Sequence, residues 1–295
     1  MNKKKGFIIA NINYQNNLPL NNNIIDKFFK KKNLSSNHEK NNDFTIENTN
    51  SLCMKLEKKL ESTVIPFHLH LPNTHNEFLE NLKKNDVEDW TIIPSFAQFS
   101  YPSTGSIANF FKNNLPKEII YKLRWIKSYA GHREYIYAYY QKLQRFLMKN
   151  KLSERDCIFI FVAPKISNSF LLENDIFKFE YEITFQEILK NFPFILGKLL
   201  YEEASFPLLS ESLENIDYWR QKRNNIVFIP LGNISDTDDV SVCLKKYKPF
   251  IKIKDIESFC CPALNLSDYW INGLMKILED KNFLSNQMLT FTRPE

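Results

Sequence analysis

Glycine is scarce in this chain. Six occur in 295 residues, at Gly6, Gly105, Gly131, Gly197, Gly232 and Gly273, and no two are close. A dinucleotide fingerprint or a phosphate loop needs several glycines within one turn, so that backbone can approach phosphate. Both are excluded, and nucleotide-dependent chemistry is therefore not expected. Cysteine is thin as well: Cys53, Cys157, Cys243, Cys260 and Cys261 are odd in number and scattered. That usage fits a reduced, cytoplasmic protein and not a disulfide framework. No apolar run approaches the ~20 residues that a membrane span requires. Phe7 to Ala10, behind a basic start, is too short for the apolar part of a secretion signal; peripheral contact with a membrane stays open. Charge of one sign is lacking too, with 39 basic against 34 acidic groups. No basic helix or arginine stripe concentrates it, so a nucleic-acid partner is not expected. No histidine follows His132.

What is present is a globular composition, 43% hydrophobic and 25% charged, with ample length for a core. Short continuous apolar runs recur at Phe7 to Ala10, Thr63 to Phe67, Thr91 to Ile93, Ile158 to Val162, Ile226 to Ile229 and Phe250 to Ile253. Runs of this kind are strands of parallel sheets buried on both faces. Between them, Ile136, Tyr139, Tyr140, Leu143, Phe146 and Leu147 mark a helix over Arg133 to Lys149 by their 3.6-residue spacing. Further helices are expected at Ser51 to Leu60, Asn76 to Lys84, Phe185 to Leu200, Ser210 to Lys222 and Leu266 to Leu278. The Asn- and Lys-rich stretch from Lys30 to Thr49 has little to bury and reads as a mobile loop. The alternation is α/β and doubly wound. The polar stretch Lys149 to Asp156 divides it into two halves, residues 1–150 and 151–295.

The most informative segment runs from Pro94 to Ser106, P-S-F-A-Q-F-S-Y-P-S-T-G-S. It follows a β-branched run and leads into a helix, and loops at the carboxyl ends of α/β strands are where ligands sit. Thr104, Gly105 and Ser106 are suited to the helix entrance. In the second half the acidic cluster Asp236, Asp238 and Asp239 also follows a strand. Asp236 and Asp239, three apart, either share a helix face or cap its first turn. His68 and His70 alternate on an expected strand and could bind a metal together. His132 precedes the long helix and is suited to capping it.

The order Pro94, Phe96, Gln98, Phe99, Ser100, then Ser103-Thr104-Gly105-Ser106, resembles the signature loop of the ferrochelatase family. Further segments resemble that family in its own order. They are Gly6 to Asn11, Val64 to Leu82 through Pro72, Tyr129-Ala130-Gly131-His132, Pro230 to Asp236, and Pro262-Ala263-Leu264-Asn265. The resemblance implies two Rossmann-like, chelatase-type halves, each a parallel sheet flanked by helices, with a porphyrin cleft between them. It implies insertion of ferrous iron into a porphyrin (protoporphyrin or coproporphyrin), the last step of heme synthesis. Iron is then a substrate; no permanently bound cofactor is implied, and the C-terminal cysteines lack the spacing of the iron–sulfur cluster that some members carry.

Asn11, Tyr14, Phe96, Gln98, Phe99, Ser100, Thr104 and Ser106 are the substrate-binding candidates that follow, with Tyr101 also able to line the ring. Arg124, Lys127 and Arg133 are candidate propionate partners. The family's second half opens on a strand ending Phe-Ser-Ala-His; here the strand ends Phe161-Val162-Ala163-Pro164, and Pro164 can neither accept a proton nor bind iron. The family Glu falls at Asp239, which with Asp236 becomes the candidate proton route, and Asp239 the candidate metal ligand. Asn13 and Tyr14 stand where the family has Gly and Thr, and Gly197-Lys198-Leu199 replaces a Gln-Ser-Arg group. Loss of the imidazole leaves a second reading open, a tetrapyrrole carrier or regulator without turnover. Oligomeric state is not fixed by the sequence.

Overall fold

Burial on both faces builds the strands. In Lys5–Asn11 (β1) the side chains of Ile8 and Ala10 enter one apolar cluster, while Phe7 and Ile9 enter another on the opposite face. The computed structural model describes residues 4–12, 39–164, 176–201, 223–232, 234–236 and 257–285. Tyr14, Asp239, the expected helix at 210–222 and the expected strand at 250–253 lie outside those residues.

β1 pairs in parallel with Thr63–His68 (β2) and Asp89–Pro94 (β3), and β3 with Leu123–Ile126 (β4), giving the order β2-β1-β3-β4. A second parallel sheet is made by Cys157–Ala163 (β5), Leu196–Tyr201 (β6), Asn225–Pro230 (β7) and Glu257–Cys260 (β8), in the order β6-β5-β7-β8. The two sheets therefore repeat one winding, although the sequence shows no repeat. A two-residue strand, Leu284–Ser285 (β9), returns to the first sheet and pairs antiparallel with β4.

The described helices are Glu39–Leu60 (α1), His75–Lys84 (α2), Ser106–Asn114 (α3), Arg133–Asn150 (α4), Phe177–Leu189 (α5) and Asp268–Glu279 (α6), besides a single turn at Lys117–Ile120. α6 lies against α4 and α1, and α5 against α4. One apolar cluster runs through both halves, from Phe7 and Leu56 through Tyr135 and Leu143 to Phe159, Val227 and Trp270. A second fills the far side of the first sheet with Phe67, Trp90, Ile92, Phe111 and Trp125. No described helix is long and apolar enough to cross a membrane.

Three expectations change. Phe185 to Leu200 is not one helix: α5 ends at Leu189 and the chain re-enters the sheet as β6 at Leu196. Pro193 lies between them, where a helix would lose a hydrogen bond. Gly197 lets β6 pass under α5, since a Cβ there would lie 2.8 Å from Leu189. The stretch from Lys30 to Thr49 is helical from Glu39, because Thr49 is buried against β1 and α1 packs on β2. His70 lies in a turn beyond β2, so it does not alternate with His68 on a strand.

α4 holds the two sheets in step. Tyr129, just before it, donates its hydroxyl to the Pro94 carbonyl at 2.9 Å, and Tyr139 donates to the Pro230 carbonyl at 3.0 Å. Each carbonyl ends the third strand of its sheet. Replacing a buried donor and leaving its acceptor unmet costs about 1–3 kcal/mol. Tyr139→Phe is accordingly expected to lower the unfolding free energy by that amount, seen as a lower urea midpoint with an unchanged slope; an unchanged midpoint would show that Pro230 is satisfied otherwise.

Candidate functional site

In a sheet wound in the order 2-1-3-4, the crevice for ligands opens at the carboxyl edge between the first and third strands. In the first half that edge carries Asn11 and the Pro94–Ser95 junction, where Ser95 N–H bonds the Ala10 carbonyl at 2.8 Å. In the second half it carries Ala163, Pro164 and the Pro230–Leu231 junction, where Leu231 N–H bonds the Val162 carbonyl at 2.8 Å. The two edges meet: Ile234 N–H reaches the Ser95 carbonyl at 3.4 Å. The loops after β3 and β7, and with them the rims of the two halves, are thus joined at this point.

The loop after β3 is rigid. Ser100 is fully buried; its Oγ accepts from Ser103 N–H at 3.1 Å and faces Ser103 Oγ. Tyr101–Gly105 winds as a wide π-type turn before α3, so the cap sits at Ser100 and not at Thr104 or Ser106. Thr104 Oγ is buried without a hydrogen-bond partner, and Ser106 Oγ donates to the Tyr101 carbonyl at 3.3 Å. Phe96 points away from the rim into the far-side cluster with Ile107 and Phe111. Phe99 packs edge-on to Tyr101.

Helix α5 from the other half clasps this loop. Glu180 accepts from Phe99 N–H and from Ser128 Oγ, the latter at 2.7 Å. Gln98 Nε2 donates to Thr184 Oγ at 2.8 Å, and Thr184 donates on to the Ala130 carbonyl at 2.8 Å. Gly232 carries φ of 104°, and a Cβ there would overlap the Tyr181 hydroxyl, so α5 also seats on the loop after β7. Beneath it, burial pushes the Tyr135 phenol up to about 12, offset in part by Tyr139, Gln98 and the Gly232 backbone.

Asp236 is a clamp in this arrangement. Its carboxylate accepts Ala263 N–H at 2.8 Å and Asn265 Nδ2 at 2.6 Å, and its own N–H bonds Asn265 Oδ1 at 2.7 Å. α1 joins it to the first half: Asn48 Nδ2 donates to the Asp236 carbonyl at 3.3 Å, and the next residue, Thr49, accepts from Asn11 Nδ2 at 3.1 Å. Two candidates from opposite halves, Asn11 and Asp236, are thereby brought to neighbouring positions on one helix.

His68 ends β2 beside Asn11, with which it is in register. Phe67 enters the far-side cluster, so His68 points to the other face, the one that carries Asn11. It is 2% exposed and neither ring nitrogen has a partner. Burial pushes its pKa from 6.5 down to about 4, helped by His75. His132 caps α4 as expected: Nδ1 accepts Glu134 N–H at 3.1 Å and Nε2 lies 3.3 Å from Asp280.

Of the candidates described, Asn11, Gln98, Phe99, Ser100, Thr104 and Asp236 therefore gather around the joined rims, while Phe96 belongs to the core. Arg124 pairs with Asp89 at 3.0 Å, and Arg133 is exposed beside Glu134. Glu180, Thr184, Asn48, Thr49 and Ser128 were not legible as site residues. Glu180 and Thr184 are buried polar positions on an apolar helix, and only the neighbouring half explains them.

A family model described as Ferrochelatase matches residues 17–282. The ferrochelatase of Chlamydia caviae is 26% identical over 249 residues, 82% of this chain and 77% of its own length. That of Chlamydia trachomatis serovar A is 27% identical over 238 residues, 79% of this chain and 73% of its own. Among solved structures, SirB from Bacillus subtilis, determined with Fe3+, superposes with a TM-score of 0.59 at 9% identity, covering 94% of both chains. CbiX, described as the terminal enzyme for biosynthesis of siroheme in denitrifying bacteria, superposes at 0.57 with 11% identity, over 94% of this chain and 98% of its own. At those identities the solved structures carry the fold alone, and it is the chelatase fold.

Burial of neutral His68 has a sign that can be checked. The unfolded chain takes up the proton near 6.5 and the native state only near 4, so stability is complete above pH 6.5 and is lost as pH falls toward 4. His70, His75 and His132 are shifted in the same direction by burial. Removing the His68 contribution with His68→Leu is expected to flatten the acid limb of the stability curve by roughly 3 kcal/mol. A wild-type-minus-variant difference independent of pH between 7 and 4 would contradict this burial.

Proposed function

We propose that this chain, which belongs to the ferrochelatase family, inserts ferrous iron into a porphyrin held against the joined rims of its two halves. One observation carries the reading: the loop that bears Gln98 and Ser100 and the loop that leads to Asp236 meet at Ser95 and Ile234. A flat macrocycle lying on that junction touches both halves at once. The family relationship supports metal insertion into a tetrapyrrole; iron, the porphyrin and a cytoplasmic setting are the finer parts of the proposal.

The chemistry asks for three things. Iron must shed water, two pyrrole N–H protons must leave, and the ring must bend so that its nitrogens face the metal. Loops fixed at both ends can hold a bent ring, and the clasp of Glu180 on Phe99 N–H and Ser128 leaves the loop after β3 little freedom. Thr104 Oγ, buried and unpartnered, and the Ser100–Ser103 pair offer hydroxyls near the start of α3, where a propionate would be favoured. Asp236 serves by position, because both of its carboxylate oxygens already hold the turn at Ala263 and Asn265. The proton route falls to Asp239, three residues further on.

Pro164 at the end of β5 favours a second reading, a tetrapyrrole carrier that does not turn over, since no proton acceptor stands where the family has one. The two are separated by one experiment with purified protein, anaerobic ferrous iron and protoporphyrin. Metalloporphyrin is expected above the uncatalysed rate, and Asp239→Asn is expected to lower it at least ~10²-fold, the usual range for a positioned acid–base group. Binding of the porphyrin, seen as tryptophan quenching, with background turnover would establish the carrier instead.

A further inference from the structure

We propose that His68 is the imidazole that receives the incoming metal ion, so that the first half of this chain supplies the group its second half lacks at Pro164. The inference deepens the insertion reading and takes from it only the identity of the cargo. Its ground is the position and bonding of the ring. The two sheets repeat one winding, with Asn11 paired to His68 at the edge of the first and Ala163 paired to Tyr201 at the edge of the second. His68 thus stands at the carboxyl edge of a strand, on the face shared with Asn11, within the face of the sheet that the Asn48–Thr49 pair ties to Asp236.

The other two buried histidines among the described residues are bonded. His75 bonds the His68 carbonyl through Nε2 at 2.9 Å and stacks on Phe67, and His132 is bonded at both nitrogens. His68 is bonded at neither and is as buried as they are. Burying two unmet ring nitrogens is costly. The cost at the lone-pair nitrogen is offset when an ion with a vacant orbital arrives, and a divalent ion of the iron–cobalt–zinc series is such a partner for neutral imidazole. The low pKa keeps the ring neutral, with a free lone pair, throughout the physiological range.

Among the described residues no three His, Cys, Asp or Glu side chains gather to cage a metal. One imidazole displaces one water from the hydrated ion; the four pyrrole nitrogens then displace the imidazole and the remaining water, and two pyrrole protons leave by the proton route proposed above. A full cage would hold the ion against that exchange.

Cobalt(II) tests this without turnover, through its visible absorption on the full-length chain. Wild type is expected to bind with bands of an imidazole complex, His68→Leu to weaken binding at least ~10-fold, the lower bound for perturbing a metal site, and His70→Ala to leave it unchanged. His68→Asn, of similar size and polarity, should weaken it equally, which separates lost ligation from lost packing. Loss of the two unmet nitrogens should also raise the melting temperature of His68→Leu by a few degrees, as expected for a residue retained for function. Equal cobalt affinity in wild type and His68→Leu, or no binding by wild type, overturns the proposal. Porphyrin quenching by the same proteins is read separately: its absence in wild type removes the insertion reading, while the cobalt titration still decides His68.

Discussion

Two buried tyrosine hydroxyls fix the geometry on which the rest depends. Each third strand ends in a proline whose carbonyl has left the ladder, and a buried carbonyl needs a donor. Tyr129, four residues before α4, and Tyr139, in its second turn, supply one each. Because α4 and the turn leading into it satisfy both carbonyls, the carboxyl edges of the two sheets are held in a fixed relation. The continuous apolar cluster from Phe7 to Trp270 makes that relation stiff. Burial raises the phenols of Tyr129 and Tyr139 well above their ordinary value, so both remain donors at any physiological pH.

On that frame the polar contacts between halves follow. α5 lies over both loops, taking Phe99 N–H and Ser128 on Glu180 and Gln98 on Thr184, and pressing Tyr181 against Gly232. α1 ties Asn11 to Asp236 through adjacent residues. These bonds are wholly or partly buried and join segments far apart in sequence, so they set orientation more than they add net stability. A site assembled this way binds a rigid, flat ligand without first having to order its own walls.

Much of the fold was legible because its signals are local. Five of the six proposed strands fall on described strands, and the 3.6-residue stripe of Ile136, Tyr139, Leu143 and Leu147 is α4. The failures have a common cause. β6 is masked because Phe185 to Phe192 is apolar at helical spacing, and Pro193 alone breaks the pattern. The start of α1 has a weak signal because Asn and Thr are weak helix formers, and only the partners Asn11 and Asp236 show why Asn48 and Thr49 are there. The signature loop was found from Pro94, Gln98 and Ser100, yet Phe96, one of its aromatics, turned out to face the core. Glu180 and Thr184 carry no local signal at all: their meaning lies in the other half of the chain.

In the proposed function the loops after β3 and β7 act as one surface for one flat ligand. Hydrogen exchange on the wild-type chain, with and without protoporphyrin, reads both loops at once. One equivalent is expected to slow exchange in residues 95–106 and 231–236 together, with the same dependence on porphyrin concentration. Protection confined to one of the two segments, or to neither, would contradict it.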